Sequence, residues 1–583
     1  MTVPAGQVWC FDPGVSTTVQ TRANVVVEGT LRMRPSSSSV HHTLRFVDVD
    51  ESRFVGGDVS EPVASDVGLW IDDAGVWDAQ GTPKTSWTRA VGGLPAGASR
   101  VDVQDATGWR PGDRIAIVPT LPPTDTRYLS YDERAVTAVS GNSVTVDAPL
   151  SHDHPAVTVA PGVVYTAEVL NLTRNVKVEG TPARLAACNR WVGRAHIWVQ
   201  TSRPQTVRHV ELAHLGPRQT IGQYEYLCRG SSKGVPGRNG LHFHKLGDAA
   251  RGTLIEGVAA HHIGNTAFAP HSSTGITLRA NVAHDVMASA YFWAGGTDPG
   301  TASDATHELT YDRNVASLVR ADELAVNEHT TLAGFELGRG GPPHFPQYAR
   351  SVAKGNVAVG VQGGSRASGY IWPENGEGVW TFEDNLTHNA REHGLFVWHV
   401  TNHFHDVVRF TGYHNGRHGI FHGAYGNPYR YVDNVLYGNR ASQGLWWGPA
   451  YCDAERNPEC PTSPLLIERG RFDGAGISPH ALILAGRAIP QQDSLIGRIE
   501  GATFLGYTDR AIRLTFDFHD FGPSATHWRL TGNTYGAAGA SDDFRCTDDI
   551  HERAGLRSDD HALSLRRADQ PGTYRPEWNC SAN

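Results

Sequence analysis

The chain has 583 residues, a formal net charge of −9 at pH 7 and only 19% charged residues. A compact domain of this length would outgrow a single core, and the negative charge argues against nucleic acid as a partner. The sequence contains no run of about 20 apolar residues, so we expect no transmembrane segment in this chain.

Residues 1–165 read as an N-terminal β-rich region. Apolar and polar residues alternate in the runs 23–32 and 44–49, as they do in half-exposed β-strands. The run 102–118 adds a turn that leads into an apolar strand. No charged-then-apolar leader opens the chain, so we expect either a cytoplasmic protein or an exported one without its signal peptide.

A turn-and-strand phrase recurs in residues 166–540 and is the strongest signal in the sequence. Copies open at Asn281, Asn385 and Asn434, and each runs into a strand rich in β-branched and aromatic residues. Short repeats broken by Gly and Asn, without helical apolar spacing, are typical of a solenoid whose coils pack only against their neighbours. We therefore predict an all-β fold, a right-handed parallel β-helix.

Residues 541–583 are charged and poor in strand formers, which suits a C-terminal cap over the open end of the solenoid.

Two cysteine pairs, Cys452 with Cys460 and Cys546 with Cys580, lack the tight spacing of zinc ligands, and we expect them to form disulfides. Disulfides favour export, so we predict a secreted or cell-surface protein whose signal peptide is absent from this chain.

Several blocks resemble a known family. Residues 3–31 resemble the glycine-rich G-eight domain, and residues 109–117 and 237–248 look like segments that follow it. The chain is similar, over roughly residues 1–400, to the cell-migration-inducing and cell-surface hyaluronidase proteins and their fibrocystin-like relatives, as a bacterial member. Where the family usually has Tyr-Pro before Ile-His-Phe-His, this chain has Asn239-Gly240. The resemblance implies a parallel β-helix and hydrolysis of hyaluronan.

His242 and His244 flank Phe243, so a strand would place both imidazoles on one face and the phenyl ring in the coil interior. We expect the imidazoles on the outer surface. Such a pair suits proton transfer near neutral pH, or a metal, and the resemblance strengthens a catalytic role. Asp248 and Asp285 are the acids nearest this block, and a hydrolase would use them.

A second group of candidates comes from the repeat itself. At an offset of 23 residues, His261 aligns with His284 and His262 with Asp285. Successive coils lie about 5 Å apart, so a carboxylate beside an imidazole would fix its tautomer and raise its basicity. The alternative is a column of polar corner residues that only satisfies the backbone. We predict His262 and Asp285 as catalytic residues.

Substrate-binding candidates are basic or aromatic. Arg238, Arg279 and Arg320 could clamp uronate carboxylates, and Tyr291 and Trp293 could stack on sugar rings, although core packing is the usual fate of such aromatics. We assign no metal ligand and no certain cofactor. Ca²⁺ is the candidate ion if the reaction is an elimination.

We expect an enzyme that hydrolyses glycosidic bonds of an acidic, hyaluronan-like glycan in a groove along the solenoid. A polysaccharide lyase, with His244 or Tyr291 as the base, is one alternative. A non-catalytic carbohydrate-binding or adhesive surface protein is another, since the same fold serves that role. We expect an acidic polysaccharide as the partner and a monomeric protein.

Overall fold

The structure is a computed structural model of the chain. It describes residues 1–57, 59, 61–124, 129–185, 190–218, 234–292, 306–320, 332–337, 351–363, 366–372, 380–397, 405–423, 429–447, 465–486, 496–516, 526–536, 544–546 and 554–558. These residues form a parallel β-helix, which confirms the predicted fold. The coils supply strands to three sheets, A, B and C, in that order along the chain.

Sheet A consists of two runs of parallel strands. Isolated β-bridges from Tyr291 to each run connect the two. Its strands are Thr2–Val3, Val25–Val27, Gly68–Asp73, His196–Thr201, Leu241–Gly247 and Phe268–Ser273, followed by Ala333–Glu336, Ser368–Trp372, His393–Val397, His418–His422, Ser442–Trp447, His480–Gly486, Arg510–Phe516 and Phe544–Cys546.

Sheets B and C are continuous along the described coils. The strands of sheet B are Val8–Cys10, Thr30–Met33, Val76–Gln80, Thr206–Arg208, Leu254–Glu256, Thr277–Arg279, Thr310–Asp312, Ser351–Lys354, Trp380–Glu383, His405–Val408, Tyr429–Val432, Leu465–Glu468, Ile496–Glu500, Thr526–Thr531 and Ala554–Ser558. The strands of sheet C are Thr17–Thr21, His42–Phe46, Val176–Glu179, Val210–Ala213, Ala259–Ile263, Val282–Val286, Val315–Val319, Val357–Val359, Leu386–His388, Thr411–Tyr413, Val435–Tyr437, Arg471–Asp473, Thr503–Leu505 and Thr534–Tyr535.

The parallel coils begin close to the start of the sequence. Thr2–Val3 pairs in parallel with Val25–Val27, which in turn pairs with Gly68–Asp73. The start of the solenoid that we predicted at residue 166 is therefore wrong. The first coils lack the asparagine-led phrase of the later ones, so the repeat pattern did not reveal them.

An antiparallel domain interrupts the solenoid between Val76–Gln80 of sheet B and Val176–Glu179 of sheet C. We call residues 81–175 the inserted domain. In spatial order, its six-stranded sheet contains Arg100–Asp102, Ser143–Val146, Asp132–Ser140, Arg114–Ile117, Glu168–Asn171 and Trp87–Arg89. Two further hairpins are formed by Val157–Ala160 with Val163–Tyr165 and by Ala183–Leu185 with Arg190–Val192. Short 3-10 turns occur at Glu51–Arg53 and Asp248–Ala250.

The inserted domain packs on the outer face of sheet C. Val282 and Val315 of that sheet belong to the buried apolar cluster of the domain. Glu168, also buried there, accepts a hydrogen bond from Nε2 of His388 at 3.0 Å and lies 3.1 Å from Nη2 of Arg89. Burial alone would raise the pKa of Glu168, but the charges of His388 and Arg89 lower it to about 2. The interface is therefore fixed by apolar packing and by a buried charge cluster.

Aromatic rings fill part of the solenoid interior. Phe268, Tyr291, Phe335 and Tyr370 stack from coil to coil, with successive ring centroids 5.0, 4.5 and 5.0 Å apart. All four side chains are fully buried. Offset stacking of this kind adds to the free energy gained from apolar burial, so the stack ties neighbouring coils together.

Buried asparagines line the corner between sheets B and C. Asn281, Asn314, Asn356 and Asn385 occupy successive coils. Each Oδ1 after the first accepts hydrogen bonds from the backbone N–H and the Nδ2 of the preceding asparagine at 2.9–3.0 Å. The recurring phrase in the sequence is thus the signature of a ladder that satisfies the buried backbone at each turn.

The described residues beyond 540 continue the coils. Phe544–Cys546 extends sheet A and Ala554–Ser558 extends sheet B. Cys452, Cys460 and Cys580 lie outside the described residues, so the two disulfides stay predictions. In the part of the chain that the structure describes, no helix has the length and apolar character needed to cross a membrane.

Candidate functional site

The strand Leu241–Gly247 places His242 and His244 on the outer face of sheet A. Phe243, between them, belongs to the solenoid core and is 1% exposed, as the alternation predicts. In the next coil, His271 pairs in register with His244. One ring nitrogen of each histidine lies within 4.8 Å of those of the other two. We call these three histidines the imidazole cluster.

The imidazole cluster is nearly enclosed. His242 and His244 are 4% and 2% exposed, whereas His271 is partly exposed. Trp198, one coil earlier, stacks on His244 with centroids 4.2 Å apart and meets His242 edge-on at 4.8 Å. The expected pair of surface histidines is therefore wrong, because a neighbouring indole covers the face that the strand turns away from the core.

Arg238 packs against Trp198, the indole that covers the two histidines. Its guanidinium lies over the rings of both Trp70 and Trp198, 4.9 and 4.6 Å from the ring centroids, and Nε donates to Oδ2 of Asp66 at 2.7 Å. The side chains of Arg238 and Asp66 are both 0% exposed. The positive charge is therefore neutralised inside the protein, and the predicted role of Arg238 as a clamp for a uronate is wrong.

The hydrogen bonding of His242 defines its tautomer. Nδ1 lies 2.6 Å from the carbonyl oxygen of Gly237. Since a carbonyl can only accept, Nδ1 carries the proton and Nε2 carries the lone pair. Burial, partly offset by the bond to Gly237, holds the pKa of His242 well below its ordinary value. His242 is therefore a neutral imidazole at physiological pH.

A second site lies where sheet C turns towards sheet A. It is a cavity of about 340 Å³, which we call the corner cavity. The residues that line it are Pro182, Trp191, Arg194, His214, His262, Ile263, Asp285, Met287 and Arg320. His214, His262 and Asp285 take equivalent positions in consecutive coils, with φ angles of 52°, 55° and 55°. His and Asp are among the residues that tolerate this left-handed region best.

The register of sheet C confirms the predicted pairing of His262 with Asp285. His261 pairs with His284, so the residues that follow them are neighbours in successive coils. Nε2 of His262 lies 3.9 Å from Oδ2 of Asp285. Nε of Arg320 donates to Oδ1 of Asp285 at 2.5 Å. An imidazole and a guanidinium therefore approach the same carboxylate.

At neutral pH the corner cavity contains a neutral base and an ionised acid. Burial, reinforced by the neighbouring His261, lowers the pKa of His262 to about 4. Burial alone would raise the pKa of Asp285, but the charge and hydrogen bond of Arg320 lower it. Burial together with His262 lowers the pKa of His214 to about 3. His262 can therefore accept a proton without first having to lose one.

Carboxylates orient the histidines that precede this pair in sequence. Nε2 of His261 lies 3.2 Å from Oε1 of Glu211, and Nε2 of His284 lies 3.2 Å from Oε1 of Glu133, a residue of the inserted domain. Burial would raise the pKa of Glu211, but His261 and Lys177 lower it to about 2. The inserted domain and the solenoid thus each supply a carboxylate that holds a histidine adjacent to His262 or Asp285.

The remaining candidates do not join either site. Tyr291 is a core residue of the aromatic stack, so the predicted roles as base or sugar platform are wrong. Arg279 lies on sheet B in a row of ion pairs, 3.0 Å from an aspartate of the next coil. Asp248 lies exposed between sheets A and B, bonded to an arginine at 2.9 Å. Trp293 falls outside the described residues.

The residues predicted to form one site therefore lie in two separate places, the imidazole cluster and the corner cavity. The sequence analysis did not identify His271 as a member of the imidazole cluster. His271 follows His244 by 27 residues, whereas the offset in sheet C is 23. The difference arises because the 3-10 turn Asp248–Ala250 lengthens the connection from sheet A to sheet B in one coil. Aligning the apolar residues that start the two strands, Leu241 and Phe268, would have revealed the third histidine.

The corner cavity does not fit the calcium ion considered from the sequence. Among its described lining residues Asp285 is the one carboxylate, and Arg320 already binds it. Calcium takes roughly six to eight oxygen ligands, which this set of side chains cannot supply.

The chain is similar in sequence to several known proteins. It is 24% identical to fibrocystin-L of Homo sapiens over 53% of this chain and 8% of that protein. It is 22% identical to cell surface hyaluronidase of Danio rerio over 38% of this chain and 16% of that protein. A G8 domain-containing protein of Dictyostelium discoideum is 23% identical over 36% and 16%. The matches thus span 8–16% of the length of these relatives.

No family model matches the chain. Among solved structures, the catalytic domain of a GH87 α-1,3-glucanase is 10% identical, with a TM-score of 0.37 over 79% of this chain and 89% of that chain. The tailspike protein gp49 from Pseudomonas phage LKA1 is 11% identical, with a TM-score of 0.26 over 95% and 75%. By sequence, the chain is similar to G8 domain-containing, fibrocystin-L and cell surface hyaluronidase proteins, at 22–24% identity.

Proposed function

We propose that the protein cleaves glycosidic bonds of an acidic, hyaluronan-like polysaccharide at the corner cavity. The observation that carries the proposal is the meeting of neutral His262, ionised Asp285 and the guanidinium of Arg320 in a cavity of about 340 Å³. That volume lies within the roughly 300–1,000 Å³ of ordinary ligand pockets. A guanidinium suits the carboxylate of a uronate.

The repeat geometry supports an extended ligand. His214, His262 and Asp285 stand in consecutive coils, and strands of one sheet are about 4.8 Å apart. A polymer that runs along the solenoid axis would contact one of these side chains in each of three consecutive coils. The name of the Danio rerio relative, cell surface hyaluronidase, supports an acidic glycan as the substrate.

Hydrolysis is the route that this name favours. It uses two carboxyl groups on either side of the scissile bond, separated by about 5.5 Å or by 6.5–9.5 Å according to the stereochemistry. Asp285 provides one carboxylate. The described lining of the corner cavity provides no second one.

Elimination is the second route, and the lining favours it. His262 would take the proton from the carbon next to the uronate carboxylate. Arg320, which is 33% exposed at its side chain unlike the fully buried Arg238, would bind that carboxylate together with Asp285. The C–O bond to the neighbouring sugar then breaks and a C=C bond forms. The departing oxygen takes up a proton from water, and the resulting hydroxide takes the proton from His262, so that one chain becomes two and the imidazole is neutral again.

The test is incubation of the purified chain with hyaluronan, chondroitin sulfate and a neutral glucan, followed by sizing of the products. We expect shortening of the acidic polymers alone. A rise in ultraviolet absorbance from unsaturated uronate identifies elimination, and new reducing ends without that absorbance identify hydrolysis. Binding without any shortening would contradict the proposal and favour an adhesive protein.

A further inference from the structure

The imidazole cluster takes no part in the proposed cleavage, and its composition is unusual. His242, His244 and His271 converge from two adjacent coils, and they are the one group of potential metal ligands found among the described residues. We propose that these three histidines bind a divalent transition metal of the zinc class. The fourth coordination position would face the side of His271, the partly exposed member.

The distances permit binding with small side-chain movements. The three ring nitrogens lie within 4.8 Å of one another, and tetrahedral bonds of about 2.0–2.1 Å would bring them to about 3.4 Å. Closing that gap takes at most about 1.4 Å for a pair of rings, which rotation about the side-chain bonds can supply. The register of the two strands already aligns His244 with His271.

The surroundings of His242 match those of a metal ligand. A ligating histidine normally donates its other N–H to a carbonyl or carboxylate, and Nδ1 of His242 donates to Gly237 at 2.6 Å. Gly237 has a φ of 74°, and a Cβ there would lie 2.8 Å from the oxygen of Gly57 and 3.1 Å from Trp198. The carbonyl that orients His242 therefore depends on a glycine at this position.

The charge around the imidazole cluster and the chemistry of its three imidazoles indicate which metal ion it would bind. Arg238 lies nearby, but Asp66 neutralises it at 2.7 Å, so the cluster is not next to an uncompensated cation. A set of imidazoles alone suits zinc, copper, iron or nickel, whereas calcium and magnesium prefer oxygen. Three protein ligands with an open fourth position are the arrangement of a site that also binds water or a substrate oxygen.

The test uses Co²⁺ as a spectroscopic substitute on the full chain after removal of metals with a chelator. We expect one Co²⁺ per chain, a visible absorption band of a tetrahedral ion and its displacement by Zn²⁺. We also expect quenching of tryptophan fluorescence, because Trp198 stacks on His244 at 4.2 Å. The readout needs no polysaccharide, so its failure and the failure of glycan cleavage are separate results.

Variants localise the ion. His271→Ala should weaken Co²⁺ binding by more than about 100-fold, since even outer-shell partners of a metal contribute 10–100-fold. His244→Gln is the second variant, in case the first does not fold. His262→Ala, in the corner cavity, is the matched control and should bind as the wild type does. No binding by the wild type, or loss only in His262→Ala, would overturn the proposal.

Discussion

Nε2 of His262 and Oδ2 of Asp285 lie 3.9 Å apart at equivalent positions of successive coils, while Arg320 binds the other oxygen of Asp285 at 2.5 Å. The carboxylate is thus held by a permanent cation on one side and faces a neutral imidazole on the other. This relationship makes the corner cavity the better candidate for chemistry, because the imidazole cluster contains no acid.

Asp285→Asn removes the negative charge and nearly preserves the shape of the side chain. Asp285 is one of the two carboxyl groups of the hydrolytic route, in which we expect kcat on an acidic polymer to fall by roughly 10²–10⁴-fold, the usual contribution of a group that takes part in proton transfer. Binding of the polymer, measured by co-sedimentation, should change little. The control is Asp248→Asn, whose side chain is 79% exposed. Equal losses of activity in the two variants would contradict the assignment.

The pH dependence of cleavage follows from the lowered pKa of His262, about 4. Because the neutral imidazole is the active form, kcat/KM should be constant on the acid side of neutrality and decline only as the pH falls through about 4. An ordinary histidine would give a decline near 6.5. The measurement is an initial-rate profile, with circular dichroism at each pH to verify folding. A midpoint near 6.5 would count against His262 as the base.

Glu168→Gln tests the buried charge cluster under the inserted domain. Removing one partner of a buried pair should lower the free energy of unfolding by about 3–5 kcal/mol at pH 7. The folded pKa of Glu168, about 2, is below the unfolded value, so its stabilisation is complete above the unfolded pKa and is lost as the pH falls towards 2. Urea unfolding at pH 7 and pH 3 should therefore show a smaller difference at pH 3.

The control for Glu168 is Glu383→Gln, which removes a partly exposed partner of Arg409 at 3.2 Å. A surface pair of this kind contributes about 0–1 kcal/mol. If the two glutamine variants unfolded at the same urea concentration, the cluster at Glu168 would have no special role.

Asn356→Ala interrupts the asparagine ladder. It removes the acceptor of the backbone N–H of Asn314 and the side-chain donor to the carbonyl of Tyr311. It also removes one of the two hydrogen bonds at Nδ2 of Asn314 and at Oδ1 of Asn385. Each buried group without a partner costs about 1–3 kcal/mol, so we expect a loss of at least about 2 kcal/mol in thermal or urea unfolding. Lys354→Ala, two residues earlier and 54% exposed at its side chain, should change stability by less than about 0.5 kcal/mol.

The sequence predicted the winding because Asn281, Asn385 and Asn434 mark corners that must satisfy buried backbone at every turn. It predicted the pairing of His262 with Asp285 because the same offset of 23 residues aligns His261 with His284. It did not predict the inserted domain, since its antiparallel strands alternate in the same way as those of the coils.

The burial of individual side chains was harder to predict from the sequence than the register between strands of successive coils. Period-two alternation does not show which large side chain fills the interior, so the sequence leaves both core packing and a sugar platform open for Tyr291. Nor does it indicate that Trp198 covers His244 or that Asp66 neutralises Arg238, because those contacts join residues far apart in sequence. Such contacts depend on coil lengths, which insertions change.

The most direct test of the account is the length distribution of hyaluronan after incubation with the wild-type chain and with His262→Gln, measured by size-exclusion chromatography with light scattering. We expect short products with the wild type and intact polymer with the variant at equal folded concentration. Intact polymer with both proteins, or equal shortening by both, would contradict it.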